Sequence, residues 1–286
     1  MTADTPIKPP SSLRFLSEVR AILELGTYLP ALPILRNMPK GDGHPVLVYP
    51  CFLATNRATL PMRYLLKDRG YQAYGWKMGR NQGYSPAMDT LMQERVWRLF
   101  KRHGRKISLI GWSLGGVYAR EIARAVPEAV RQVITLGSPF AHAQKASNLG
   151  WLYNLVSGER LERLDPHLLE RMMEPPPVPS TAIFSRGDGV VAWSCAMEQR
   201  RGLETDNVEV AGSHCGLGHN PLALYVIGDR LAQAEDEWEP FDRRGLRSAF
   251  FPDPYRQEQT VTPQRSQWRQ QIQQLDESLA RLTLGA

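Results

Sequence analysis

Gly111-Trp112-Ser113-Leu114-Gly115 sets a serine between two glycines, each two positions away. That spacing lets a strand turn sharply into a helix with the two backbones in close approach, so that the serine hydroxyl stands clear of the chain. The apolar run 107–110 precedes it, and Val117, Tyr118 and Ile122 follow at helical spacing. The chemistry on offer is nucleophilic attack, with a helix N-terminus beneath to favour developing negative charge.

A serine hydroxyl is a poor nucleophile until a general base takes its proton. Six histidines are available: His44, His103, His142, His167, His214 and His219. In sites built on a strand–turn–helix serine, the acid and then the histidine follow in chain order. His44 and His103 precede Ser113, and His142 and His167 fall in a segment without strand patterns. His214, in Ala211-Gly212-Ser213-His214, directly follows the last strand pattern and is the preferred base; His219 is the alternative. Asp188, in Ser185-Arg186-Gly187-Asp188-Gly189-Val190-Val191, stands just after the preceding strand pattern. It is expected to hold the imidazole tautomer and stabilise the imidazolium. Asp-Gly is also a common turn pair. Asp165 and Asp206 are worse placed.

The elements that must position these residues are legible as a strand–helix alternation. Apolar runs at 46–49, 73–76, 107–110, 133–136, 182–184 and 208–210 read as short strands, with helical patterns at 59–67, 87–102, 114–125 and 222–237. The alternation implies an α/β fold: a mostly parallel central sheet with helices on both faces, spanning 44–236. Between 138 and 180 only helical stretches occur, closed by Pro175, Pro176, Pro177 and Pro179, which reads as an inserted helical lid. Residues 1–43 read as an N-terminal amphipathic helix and an extended segment. Phe15, Val19, Ile22 and Leu23 share a face expected to dock on the domain, with a stop near Gly26 and Pro30. Residues 237–286 read as a C-terminal packing arm or homo-oligomer contact, with a helical pattern through Trp268, Ile272, Leu275, Leu279 and Leu282.

The 286 residues are 42% hydrophobic and 22% charged, which excludes a disordered chain, a collagen-like repeat and a coiled coil. No run reaches the roughly 18 apolar residues a membrane-spanning helix needs. Seven Arg and seven Asp or Glu balance from Glu237 onward, so the formal charge of +6 resides in 1–236. Part of it is Arg95, Arg98, Lys101, Arg102, Arg105 and Lys106, a basic run read as a solvated helix face. Without aromatics or a recognition motif it makes no nucleic-acid footprint. Residues 13–25 lack the continuous apolar stretch of a secretory signal, so a cytoplasmic location is expected. Cys51, Cys195 and Cys215 have neither scaffold density nor metal spacing. Cys195 and Cys215 flank the acid and the histidine, leaving open a bridge or, preferred in a reducing compartment, two free thiols. No metal site, P-loop or dinucleotide fingerprint is present, and nothing implies a cofactor.

Taken together, Gly111-Trp112-Ser113-Leu114-Gly115-Gly116, Asp188-Gly189-Val190-Val191 and Gly212-Ser213-His214 resemble the α/β-hydrolase superfamily, and within it the bacterial lipase/esterase group. The resemblance covers about 44–233 and implies an eight-stranded core. Six strand patterns are present here, with the N-terminal helix where the family's first hairpin would stand. It implies an oxyanion hole made by the N–H of Leu114 and by a donor after the first core strand, here Phe52 in Tyr49-Pro50-Cys51-Phe52-Leu53. Cys51 takes the position usually held by glycine. Cys51, Asn81, Trp112 and Trp151 are expected among the substrate contacts, with a turn-stabilising role as the equal alternative for Asn81. The implied activity is cleavage of small-molecule or lipid esters through an acyl-enzyme. An acyltransferase or thioesterase with the same triad, or a non-catalytic binding protein on this fold, are the alternatives.

Overall fold

Val46, Leu47, Val48 and Tyr49 are four consecutive apolar residues, a pattern suited to a strand covered on both faces. In the computed structural model, which describes residues 9–141, 171–199 and 204–256, they belong to β1 (Pro45–Tyr49), buried throughout. β2 (Gln72–Gly75), β3 (Ile107–Trp112), β4 (Val130–Leu136), β5 (Ser180–Phe184) and β6 (Thr205–Glu209) complete a six-stranded sheet of order β2-β1-β3-β4-β5-β6. Every pairing is parallel. These are the six strands expected from sequence, with ends shifted by up to three residues.

The side chains alternate across this sheet with the period of two that a pleat imposes. Leu47, Tyr49, Leu109 and Val133 pack with Met92, Val96 and Leu99 of α4 (Pro86–His103) and with Tyr118 and Ile122 of α5 (Leu114–Ala125). Val46, Val48, Ile110 and Ile134 face the other way. Their partners are Leu35 of α2 (Ala21–Leu35), Met62 and Leu66 of α3 (Leu60–Asp68), and Leu224 and Ile227 of α6 (Pro221–Ala232). The result is three layers, helix on sheet on helix. Local chemistry agrees with it: Ser85 Oγ caps α4 by accepting the Met88 N–H at 3.2 Å, Pro86 opens the helix, and Gly104 closes it at φ 61°.

Strand order fixes where a site can form. From β1 the chain adds β2 on one side and then β3 on the other, so the loops leaving β1 and β3 diverge and open a crevice at the strand C-termini.

α5 is tied to its surroundings by a buried ion pair. The Arg120 guanidinium donates to both carboxylate oxygens of Glu198, to the Glu174 carbonyl at 2.8 Å, and stacks 3.7 Å over the Phe140 ring. Ser180 Oγ of β5 donates to the same carboxylate at 2.7 Å. Both partners are almost wholly buried, so removing one strands the other. Glu198→Ala is expected to destabilise the fold by about 3–5 kcal/mol in urea unfolding. A loss under about 1 kcal/mol would mean that the pair does not anchor α5.

The N-terminal segment departs from the sequence expectation. α1 (Ser12–Leu16) and a 3-10 turn (Ser17–Arg20) lead into α2, which runs on through Gly26, Pro30 and Pro33. Interior prolines cost a helix about 3 kcal/mol each in isolation; packing of Tyr28, Ala31, Leu32 and Leu35 against the core offsets this. The expected docking face is reversed: Phe15, Val19, Ile22 and Leu23 are exposed, and Glu18 is buried. Phe241 and Phe251 enter the core, with the Phe241 N–H donating to Asp206 at 2.8 Å. Residues 142–170 of the expected lid and the pattern through Trp268 and Leu282 lie outside the described residues. Among the described residues, no helix is long and apolar enough to cross a membrane.

Candidate active site

β3 ends in the turn that the sequence marked. Ser113 has φ 54° and ψ −121°, a left-handed conformation that costs a non-glycine residue about 1–3 kcal/mol. The flanking glycines are required by space. A Cβ on Gly111 would lie 2.2 Å from Gly116 Cα, and one on Gly115 would lie 2.5 Å from the Tyr49 carbonyl oxygen. The Ser113 N–H donates to the Leu136 carbonyl at the end of β4 at 2.8 Å, which fastens the turn to the sheet.

The acid and histidine loops leave β5 and β6 beside it. Asp188 Oδ1 accepts the N–H groups of Val190 at 2.8 Å and Val191 at 2.7 Å, leaving Oδ2 aimed at His214 Nδ1, 2.6 Å away. An ionised Asp188 can only accept, so it selects the neutral tautomer of His214 with the proton on Nδ1, in which Nε2 is free to act as a base. The pair stands over the end of β4: a Cβ on Gly137 would be 3.1 Å from both Asp188 Oδ2 and His214 Nδ1. Ser113, Asp188 and His214 are 2%, 3% and 5% exposed. The Ser113 hydroxyl forms no hydrogen bond to the ring; such contacts are commonly long without substrate and tighten when it binds.

Burial is the largest influence on His214 and disfavours its charge. The charge and hydrogen bond of Asp188, together with the charge of Glu18, outweigh it and raise the pKa above the usual 6.5. The sign follows: the pair stabilises the protein below pH 6.5, and this contribution is lost as pH rises through the raised value. His219 is directed elsewhere. Its Nε2 lies 3.1 Å from the Ala21 carbonyl oxygen on the N-terminal segment.

Across the crevice, the loop after β1 turns at Leu53, whose φ is 59°. Neither the Phe52 N–H nor the Leu114 N–H donates to an acceptor among the described residues. Asn81 holds this loop, the turn-stabilising one of the two roles expected for it. It is fully buried, its Nδ2 donates to Pro50 O at 2.9 Å, and its Oδ1 accepts from the Gly83 N–H and the Tyr118 hydroxyl. Trp112, also expected to touch substrate, donates its indole N–H to the His214 carbonyl at 3.1 Å and so props the histidine loop. Trp151 lies outside the described residues. Cys51 is half-buried in the loop, and burial pushes its thiol up to about 12. Cys195 and Cys215 are likewise free and pushed up to about 12, so the thiols are protonated and poor nucleophiles at neutral pH.

Three residues missed at the sequence level complete the site. Glu18 accepts N–H groups from Gly189 at 2.7 Å, His214 at 3.0 Å and Cys215 at 2.8 Å. Glu24 accepts the Ser213 N–H at 2.9 Å and the Ser213 hydroxyl at 3.0 Å. Arg20 donates to the carbonyls of Gly187 at 2.6 Å and Gly212 at 3.0 Å. Helical periodicity sorts residues by polarity, and it carries no sign that these charges meet loops 167 to 197 residues away; the 3-10 turn also breaks the phase.

A second Asp-His-Ser set lies at the opposite end of the sheet. His44 Nδ1 is 2.5 Å from Asp42 Oδ1 and Nε2 is 2.8 Å from Ser108 Oγ. Ser108 is a fully buried strand residue with no sharp turn beneath it. Burial, reinforced by the charges of Arg131 and Arg105 and opposed by Asp42, holds His44 down to about 4, so it is a neutral core group.

Among solved structures the chain is similar to Aspergillus fumigatus lipase B, with a TM-score of 0.51 and 14% identity over 70% of this chain and 56% of that one. It is likewise similar to a mature-form lipase of Bacillus licheniformis, with a TM-score of 0.51 and 16% identity over 69% of this chain and 95% of that one. The chain thus spans little more than half of the first and nearly all of the second. At such identities the likeness is one of fold. No protein-family model and no curated protein matches the chain.

Proposed function

We propose that this chain, an α/β-hydrolase by fold, is a serine hydrolase that cleaves carboxylic esters through an acyl-enzyme. The observation that carries the reading is the Asp188–His214 pair, buried and bonded at 2.6 Å, standing over the end of the strand to which the Ser113 turn is fastened.

In this reading the Ser113 hydroxyl gives its proton to His214 Nε2 as Oγ bonds to the ester carbonyl carbon. The carbonyl oxygen becomes an oxyanion and takes hydrogen bonds from the N–H groups of Phe52 and Leu114, donors that have no acceptor among the described residues. The imidazolium, steadied by Asp188, returns the proton to the leaving alkoxide as the carbon–oxygen bond breaks. Water then gives a proton to Nε2, adds to the acyl carbon, and displaces Ser113, which recovers the proton and frees the acid. Phe52, in the loop after β1, and Val190, two residues after Asp188, are partly buried against the core and favour an apolar acyl group over a sugar or a charged one. The small-molecule or lipid ester is the partner this chemistry requires.

Incubation with a fluorophosphonate, which traps activated serines, tests the reading. Labelling is expected on the peptide containing Ser113, together with release of p-nitrophenolate and butyrate from p-nitrophenyl butyrate. Absence of both, in a folded sample, would refute it.

A further inference from the structure

Most carboxylates in the described part of the chain sit at the surface; Glu18 is 9% exposed and meets the backbone of two loops. Its Oε1 accepts from the Gly189 N–H, next to Asp188, and also from the His214 N–H; its Oε2 accepts from the Cys215 N–H. One planar group therefore touches the acid loop and the histidine loop at once. The fit at the acid loop is tight, since a Cβ on Gly189 would lie 2.2 Å from the Arg14 carbonyl oxygen and 2.9 Å from Glu18 Oε1. Hydrogen bonds to a charged acceptor are worth about 1.5–3 kcal/mol each, roughly twice neutral ones. Three of them rigidly fix the distance between two loops that no strand pairing reaches.

We propose that Glu18 is a positioning residue of the site: its carboxylate bridges the backbone beside Asp188 and at His214, and so holds acid and base in register. The inference rests on the ester-hydrolase reading for its effect on rate, and on the bridge alone for its effect on His214. Glu18 acts in two ways. It sets geometry, and it adds a second negative charge beside an imidazole that already faces Asp188. The other charged and titratable groups packed around this junction come from the same segment, from the acid and histidine loops and, at Cys51, from the loop after β1. Glu24 and Arg20 pair with each other at 3.2 Å while holding Ser213, Gly187 and Gly212, and Cys215 is a protonated thiol. Arg20 also reaches both loops, at the Gly187 and Gly212 carbonyls, but of these groups only Glu18 bonds the backbone of His214 itself.

Glu18→Gln separates the two effects from mere packing, because it keeps the shape and removes the charge. Its oxygen can still accept from Gly189 and His214, while its NH2 confronts the Cys215 N–H, so one bond is lost and two are kept. The first readout is the His214 imidazole titration by NMR, which needs no activity. The midpoint is expected to move to lower pH in the variant. The second is kcat and KM for p-nitrophenyl butyrate across pH. A fall of about 10–100-fold in kcat is expected from the loosened bridge, with KM nearly unchanged and the acid limb of kcat/KM displaced to lower pH. Thermal unfolding of each sample monitors the fold. An unmoved His214 titration and an unmoved acid limb, whatever happens to the melting temperature, would overturn the proposal. If wild type itself neither labels with fluorophosphonate nor releases acid, the hydrolase reading falls, and the titration still decides the role of Glu18. Should Glu18→Gln prove too unstable to isolate, Glu18→Asp keeps the charge but shortens the reach: lost kcat with the acid limb in place supports the bridge, and full kcat overturns it.

Discussion

Replacing Ser113 by alanine is expected to lower kcat for p-nitrophenyl butyrate by about three to six orders of magnitude and to abolish fluorophosphonate labelling, with the fold intact. The size of the effect follows from the chemistry. Without the Oγ no acyl-enzyme can form, and whatever rate remains must come from direct attack of water on an ester held by the oxyanion donors. The indifference of the fold follows from local structure. The contact that ties this residue to the sheet is made by its backbone N–H to Leu136, which alanine keeps. The strained φ of 54° is carried by either side chain. Circular dichroism and melting temperature should therefore match wild type. An alanine variant retaining kcat within tenfold would remove Ser113 from the mechanism.

Asp188→Asn is expected to cost about 10⁴ in kcat, for a reason visible in its hydrogen bonds. Two backbone donors, the N–H groups of Val190 and Val191, point at Oδ1, and His214 Nδ1 faces Oδ2. An asparagine must keep its oxygen toward the two donors, because its NH2 there would confront them. The NH2 then faces Nδ1 and can only donate. His214 is driven to carry its proton on Nε2, the atom that must be free to receive the Ser113 proton. The variant should thus stay folded and bind substrate while losing its base, a split readable as a kcat loss with KM little changed. NMR of the imidazole nitrogens should show the reversed tautomer. A loss smaller than tenfold would show that His214 does not depend on Asp188.

The features legible in the sequence are those with local causes. Gly111 and Gly115 mark the turn because close backbone approach admits no side chain, and the runs in β1, β3 and β4 mark a sheet buried on both faces. Asp188 and His214 were legible because each stands just past a strand end. The tasks of Asn81 and Trp112 are less legible. Their types suit substrate contact, and only the structure shows that their polar atoms already have partners in Pro50, Tyr118 and His214. The N-terminal segment was inverted for a related reason. Periodicity assumes that apolar surface seeks the core, whereas the domain surface here offers a row of unpaired backbone N–H groups, for which a carboxylate is the better neighbour.

The Glu18 contacts also bear on the order in which the protein can be completed during synthesis. Glu18 leaves the ribosome well before its partners, since its acceptor bonds join residues 171, 196 and 197 positions later. At a bacterial or eukaryotic pace of about 5–20 residues per second, roughly 10–40 s pass before those partners emerge. For that interval β1 to β4 can already pair, since each contacts a neighbour made shortly before or after it, while the segment holding Glu18 has nothing to hold. The nascent chain thus acquires its Ser113 turn well before it acquires an aligned base. In the hydrolase reading, reactivity arrives when the turn holding Glu18 closes on loops made long after it, so a ribosome-stalled fragment ending before Gly212 would be folded in part and chemically silent.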